Sequence, residues 1–593
     1  MKRWLGGVCL IFLIFAFQVA NIPNMHMHPD EELSYRATRD GLGHVFYYQQ
    51  SGQDNQAPLW FISFWAWQQI VGDAEFTSRV MGALTSVLTL AITYRLGRRW
   101  FGNAAALAAL AILGANHFFF TYTLDIRPYP LVIFSAALSI WMFERWRHTP
   151  DKRRILFYGL SVALLLYVHY LLTFLVVVQV VFVLLFQPNR RRLLVSGAAA
   201  MVLGFLIWLP WFPTFVDQVI TLRNVETASG TARGAAGIGV STLVTSLPTI
   251  VQLAQTATNG MIWLYAIVLL VGVWMMRRKP SFWLAVFWGI GVPVVALVAN
   301  LFFAVYAHRF VSHATVGLAL ALGAVLLAKS NRLYISAAAV FVALNLFMFP
   351  TQFPVRIPYR DLYADVSAQV REGDALLNLG SVDGFVQWQI DHYLSPVLVR
   401  NTVSDVASAQ SFRRVWFLTD DWLNDPAQRD FAVLEPSHPV QTVFGQCNRA
   451  WCYIAQLMEA PPWTEPMTFG DHLAFWGADV DSVTDTEIKT RLWWRVTEPP
   501  PVDYSIGLQL LNSDGALVAQ NDGPIHHYAV ETVQTSSLQP ERIYIDFRSV
   551  ALPPELPAGE YRLTLVVYQS WDGVRLTLPD GSDHLVLDTI RLD

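Results

Sequence analysis

Long apolar runs recur through the first 350 residues, and this repetition limits the chain more than any other feature. Segments near 4–21, 78–96, 103–119, 128–146, 155–169, 171–187, 193–211, 260–276, 281–302, 310–328 and 333–350 are almost free of charge. A helix rises about 1.5 Å per residue, so each run can cover most or all of a hydrocarbon layer about 30 Å thick. The whole chain is 54% hydrophobic and only 15% charged over 593 residues. That is too apolar for an ordinary soluble protein of this length. The expected fold is therefore a polytopic α-helical membrane domain of about eleven spans, residues 1–350. Two polar regions follow it, 351–460 and 461–593.

Charge divides the chain at the same place. Up to Pro350 there are 25 Lys/Arg against 12 Asp/Glu; from Thr351 on there are 16 against 33. The basic residues of the first part sit in short turns, at Arg95/Arg98/Arg99, Arg145–Arg154, Arg190–Arg192, Arg277–Lys279 and Lys329/Arg332. They form no continuous patch, which excludes a nucleic-acid surface. They occupy alternate turns, so the positive-inside rule puts those turns and the N-terminus in the cytoplasm. Asp30, Glu31, Glu32, Asp54, Asp125 and most other early carboxylates then face outward, as does the tail. This predicts a multi-pass protein of the plasma membrane with external C-terminal domains. Met1-Lys2-Arg3 before the first run resembles a signal peptide. No small-residue cleavage site follows closely, so it reads as an uncleaved first helix.

The tail reads as two folds. Asp374–Leu379 and Val415–Leu418 are short apolar runs of the buried-strand type, which predicts a small α/β unit. From about residue 465, alternating strands such as Tyr504–Leu510 and Tyr561–Tyr568 are separated by Asp-Gly turns, which predicts a β-sandwich. Cys447 and Cys452 flank four residues; a metal site needs more ligands, and the pair is compatible with a local disulfide or with two thiols. In the long outer loops, Pro58–Trp65 is apolar but interrupted, as expected for a helix lying in the interface. Trp60, Trp65 and Trp67 read as part of an interfacial aromatic belt. Ala228–Gly234 is small and flexible in composition, as in a gating loop or linker.

The chemistry-bearing residues gather on the outward side. His28-Pro29-Asp30-Glu31-Glu32 follows the first span, so three adjacent carboxylates stand at the lip of the membrane. Charge near hydrocarbon is costly, which favours a functional reading for Asp30 and Glu31; Glu32 reads as solvated. Asp54 with Pro58-Leu59, the run Asp125-Ile126-Arg127-Pro128-Tyr129, His169 with Tyr170, and Arg309 complete the set. A helical bundle can bring these separated residues to one place.

In order and membrane side these motifs resemble the membrane glycosyltransferases of the GT-C fold. The similarity is to the dolichyl-phosphate-mannose–protein mannosyltransferase-like group and its bacterial relatives acting on lipopolysaccharide. The matching features are Asp30-Glu31, Asp54 with Pro58-Leu59-Trp60, Gly72–Arg79, Asp125-x-Arg127-x-Tyr129 and Arg309-Phe310. Asp125 stands where the family carries Glu, and Gln56-Ala57 stands where a histidine motif is common. The resemblance implies transfer of a sugar from a polyprenyl-phosphate donor to a glycan, lipid or protein acceptor at the outer face, with inversion. It implies Asp30 as general base, Glu31 and Asp125 as further catalytic residues and candidate ligands of a divalent ion, and Arg127 and Arg309 on the donor phosphate. Asp54, Tyr129 and His169 would contact substrate. A transporter or flippase would instead show an internal repeat and charge at mid-membrane. A membrane-anchored glycan-binding protein would not require so many spans.

Overall fold

The computed structural model describes residues 4–51, 54, 56–228, 240–300, 308–329, 331–352, 356, 358–378, 387–419, 425–447, 452–554 and 556–592. The expected flexible stretch Ala228–Gly234 lies, past its first residue, outside these. The chain forms two compact units, Met1–Ile357 and Pro358–Asp593.

The first unit is helical. Its elements are α1 (Leu5–Asn21), α2 (Pro29–Thr38), α3 (Leu42–Gln50), α4 (Leu59–Val71), α5 (Glu75–Phe101), α6 (Asn103–Gly114), α7 (His117–Leu124), α8 (Tyr129–His148) and α9 (Lys152–Val168). There follow α10 (Thr173–Phe186), α11 (Arg190–Trp208), α12 (Phe212–Ala228), α13 (Val240–Ala257), α14 (Ile262–Met276), α15 (Pro280–Val286), α16 (Val292–Asn300), α17 (Ala314–Leu326) and α18 (Arg332–Met348). Each expected apolar segment coincides with one or two of these helices. Among the described residues, five helices are long and apolar enough to cross a membrane, or up to seven if each of two bent pairs is one span. α10 and α17 are apolar but shorter. The chain is thus a multi-pass membrane protein.

The expected span at 103–119 is broken. α6 and α7 meet at 67°, and Ile250–Ala257 meets α14 at 81°. The two bends clasp each other. Asn116 Nδ2 donates to Ala257 O at 2.9 Å, and Asn259 Nδ2 donates to Ala115 O at 2.8 Å. Asn259 Oδ1 also accepts from His117 N at 3.0 Å. Backbone groups freed by a bend must find partners inside an apolar bundle, and the two asparagines supply them. A second close approach joins α5 to α7: a Cβ on Gly82 would fall 2.1 Å from Thr123 O, so only glycine lets these backbones touch here.

The long connections expected to face outward contain helices of their own. α2, α3 and α4 fill the first. α4, 13 residues long, is too short to cross, in keeping with an interfacial helix. Trp60, however, is fully buried and stacks on Phe64, so it belongs to the packing under α4 and not to a belt facing lipid.

The second unit begins with a mixed sheet of order β2-β1-β3-β5-β4, with β1 Ala375–Asn378, β2 Thr402–Val403, β3 Arg414–Thr419, β4 Val440–Cys447 and β5 Cys452–Glu459. β3 is buried throughout, as its apolar run requires. The β4–β5 hairpin sets Cys447 opposite Cys452 in register. Two further sheets follow. One has order β12-β11-β13-β8-β7-β6, with β6 Met467–Phe469, β7 Leu473–Val483, β8 Glu487–Val496, β11 Ile525–His527, β12 Glu531–Val533 and β13 Tyr544–Ala551. The other has order β10-β9-β14-β15, with β9 Tyr504–Leu511, β10 Leu517–Gly523, β14 Gly559–Gln569 and β15 Leu585–Leu592. Phe475 and Trp494 of the first share a core with Ile506 and Leu565 of the second. Two sheets closing over one core make the expected sandwich.

Candidate active site

The site is built around α2. His28 caps this helix: its Nδ1 accepts from Asp30 N at 3.1 Å, and Glu31 Oε2 accepts from His28 N at 2.6 Å. Pro29 follows the cap, and Asp30, Glu31 and Glu32 fill the first turn, where the helix dipole favours negative charge. Ser34 Oγ then donates to Ile126 O at 2.6 Å, and Trp60 Nε1 donates to Ser34 Oγ at 3.1 Å. α2 is thereby fastened to α4 and to the four-residue connection between α7 and α8. That connection carries Asp125 and Arg127.

Glu31 is the centre of the network. Its carboxylate is fully buried. Oε1 accepts from Arg79 Nη1 at 2.6 Å and from Ile126 N at 2.8 Å. Oε2 accepts from His28 N, from Arg79 Nη2 at 3.1 Å and from Arg356 Nη1 at 2.9 Å. Burial alone would raise its carboxyl, but Arg79 and then Arg356 beside it hold it well below the usual carboxylate range. Arg79 is also paired with Glu75, one helical turn earlier, at 2.6 Å.

Asp125 receives Arg356 Nη2 at 2.8 Å. Burial pushes its carboxyl up to about 6, with the charge of Glu31 adding and Arg356 opposing. Arg127 grips Asp54 with both terminal nitrogens, at 2.7 and 3.4 Å, in a buried fork. Asp30 receives Arg309 Nη1 at 2.6 Å, across 279 residues of sequence. Arg309 lies in the short turn His308–Val311 ahead of α17. Tyr129 and His169 flank Phe310: the ring centroids are 6.5 Å and 4.7 Å from it. His169 Nδ1 accepts from Leu171 N at 3.3 Å, which puts the ring proton on Nε2.

All eight expected site residues thus stand in one region of the first unit. Glu32, expected to be solvated, is fully buried, because it lies on the packed side of α2 with Tyr35, while Asp30, Leu33 and Arg36 form the partly exposed side. Two arginines central to the network were not among the expected site residues. Arg79 stood within the Gly72–Arg79 motif but was given no role. Arg356 follows the last apolar run, where no local pattern marks it. Glu31 and Asp125 do not fit the divalent ion considered for them. Arg356 already bridges their carboxylates, and among the described residues no group of three or more His, Cys, Asp or Glu side chains could hold a metal.

Residues 55–214 match the family model of the dolichyl-phosphate-mannose-protein mannosyltransferases. No curated protein matches the chain. Among solved structures, the chain is similar to ArnT from Cupriavidus metallidurans bound to undecaprenyl phosphate, at 14% identity, covering 76% of this chain and 97% of that one, with a TM-score of 0.46. The apo oligosaccharyltransferase of Archaeoglobus fulgidus is 13% identical over 76% of this chain and 74% of that one, with a TM-score of 0.42. The S. cerevisiae protein O-mannosyltransferase complex bound to the sugar donor is 15% identical over 37% and 34%, with a TM-score of 0.27. The family match spans Asp125, Arg127, Tyr129 and His169 and begins one residue after Asp54; Asp30, Glu31 and Arg309 lie outside it. The membrane unit resembles the membrane glycosyltransferases of the GT-C fold.

Proposed function

We propose that the protein transfers a sugar from a polyprenyl-phosphate donor to an acceptor hydroxyl at the outer face of the membrane. The observation that carries this reading is the pairing of Asp30 with Arg309 beside the Arg127–Asp54 pair; of these four residues, Arg127 falls within the segment that matches a mannosyltransferase family. A carboxylate able to take a proton stands within one hydrogen bond of a guanidinium able to hold a phosphate.

In this mechanism the acceptor oxygen attacks the anomeric carbon as its proton passes to Asp30. The new carbon–oxygen bond forms while the bond from that carbon to the phosphate oxygen breaks. Attack from the face opposite the phosphate inverts the anomeric centre. The leaving phosphate keeps the bonding electrons, and Arg309 stabilises its growing charge, with Arg127 nearby. Glu31 and Asp125, locked by Arg79 and Arg356, hold the geometry in which Asp30 is presented. Tyr129, His169 and Phe310 form the wall that bounds the sugar. The positive-inside charge pattern supports the outward orientation.

The test is turnover by purified full-length protein in lipid nanodiscs, with polyprenyl-phosphate sugars as donors and release of polyprenyl phosphate as readout. Asp30→Asn keeps the shape and removes the base, and turnover should fall by about 10²–10⁴. Near-normal turnover in that variant would remove Asp30 from the mechanism. Absence of transfer or hydrolysis with every polyprenyl-phosphate sugar tried would refute the donor class.

A further inference from the structure

Four arginines meet carboxylates around α2, and they are not equivalent. Arg79 uses every arm of its guanidinium: Nε and Nη2 on Glu75, Nη1 and Nη2 on Glu31, and Nη1 again on Leu124 O at 2.9 Å. Arg127 forks onto Asp54. Arg356 spans His26 O, Glu31 and Asp125. These three side chains are 9% exposed or less. Such pairs are fixtures, because separating them would strand buried charge.

Arg309 differs in the number of its hydrogen bonds and in exposure. Among the described residues its one hydrogen bond is the contact to Asp30 Oδ2; its Nε has no partner, as is also true of Arg127 and Arg356. The side chains of Arg309 and Asp30 are 35% and 30% exposed. Among the described residues Asp30 has no second arginine within ion-pair distance, although the charge of Arg127 acts on it from further off; His28 Nδ1, which accepts from Asp30 N, is 3.9 Å from Oδ2. One hydrogen bond between half-exposed partners is weak, and water already competes for it. A phosphate competes better. It offers more charge and more acceptor oxygens, and a guanidinium can meet it with two parallel N–H groups where Asp30 takes one.

We propose that the Asp30–Arg309 pair is an exchange site, in which a phosphate oxygen displaces Asp30 from Arg309 and so frees the carboxylate to accept a proton. This rests on the reading of the site as a phosphate-donor transferase, and it sets the order of events there. Before the donor arrives, the lone pair of Asp30 that faces Arg309 is occupied. Once Arg309 turns to the phosphate, that lone pair faces the acceptor hydroxyl. Proton transfer to Asp30 then accompanies formation of the new glycosidic bond, and the departing phosphate stays on Arg309 with the electrons of the broken bond. The base is armed by the donor, so an acceptor that binds first meets a carboxylate already engaged.

The experiment measures binding rather than turnover. Full-length protein in zwitterionic nanodiscs is titrated with a C15 polyprenyl monophosphate. Parallel arms use inorganic phosphate, and nanodiscs containing phosphatidylglycerol. Exchange predicts that Asp30→Asn tightens binding of the polyprenyl phosphate by about 2- to 10-fold, because a competitor for Arg309 and a like charge are both lost. Asp30→Ser should do the same. Arg309→Gln should weaken binding and abolish the effect of Asp30→Asn. If Asp30→Asn instead weakens binding or leaves it unchanged, Asp30 merely orients Arg309 and the exchange proposal is overturned. Tightening seen with inorganic phosphate or phosphatidylglycerol but not with the polyprenyl phosphate would sustain exchange while refuting the polyprenyl donor.

Discussion

Glu31→Gln separates a structural role for Glu31 from a chemical one. The substitution keeps the shape but turns one oxygen into an N–H donor. All five hydrogen bonds to the carboxylate come from donors, two at Oε1 and three at Oε2. The better orientation puts the new nitrogen at the Oε1 position. It then faces Ile126 N–H and Arg79 Nη1, and two buried donors lose their acceptor. Each such loss costs about 1–3 kcal/mol, so the unit should lose about 2–6 kcal/mol. For a unit of this size that corresponds to a fall of roughly 3–10 °C in melting temperature. The assay is thermal unfolding in detergent followed by tryptophan fluorescence, alongside turnover in the same preparation. Both should fall together, and turnover per folded molecule should fall less than in Asp30→Asn. A melting temperature within about 1 °C of the parent, with turnover lost, would refute the argument and return Glu31 to the chemistry.

Three more outcomes follow from the same geometry. Asp125 has a raised carboxyl, so the folded state holds its proton more tightly than the unfolded chain does; its stabilising share is full below the unfolded value near 3.8 and fades as pH rises through about 6. Ionised Asp125 is what holds Arg356, so a pH–rate profile should drop on the acid side of about 6, and Arg356→Gln should move that midpoint upward; a profile flat between pH 5 and 7 would exclude this. Gly82→Ala drives a Cβ into Thr123 O and must part α5 from α7, costing about 1–3 kcal/mol in the same unfolding assay, whereas a neutral result would mean the contact relaxes freely. A reporter active only outside the cytoplasm, fused after Asp593, should be active; activity of a cytoplasm-only reporter there would reverse the orientation.

The helices were legible because hydrophobic runs are local, and so was the sandwich, whose Asp-Gly turns and alternating strands announce themselves over a few residues. The bends were not. The run at 103–119 is continuous in hydrophobicity, and only the amides Asn116 and Asn259, 143 positions apart, explain why it breaks. Motif order placed Asp30, Asp54, Asp125, Arg127 and Arg309 on one side of the bundle, but it could not say which acid meets which arginine. Asp125 and Arg127, two residues apart, could simply have paired; instead they take Arg356 and Asp54. Glu32 shows the same limit in reverse. Three acids in a row look like a solvated turn, and only tertiary packing buries Glu31 and Glu32 while leaving Asp30 partly exposed.

The bridge from Glu31 to Arg356 spans 325 residues. During synthesis, the acid leaves the ribosome with the first helix, while its last partner emerges only after α18. Arg79 can neutralise Glu31 early, but Asp125 must wait for the same late arginine. A chain that stops before residue 356 therefore contains every motif of the family resemblance and still carries an unbalanced charge at its centre. Completion of the membrane unit and maturation of the site become one event. A nascent or truncated chain would hold Asp125 without the guanidinium that meets it in the complete unit.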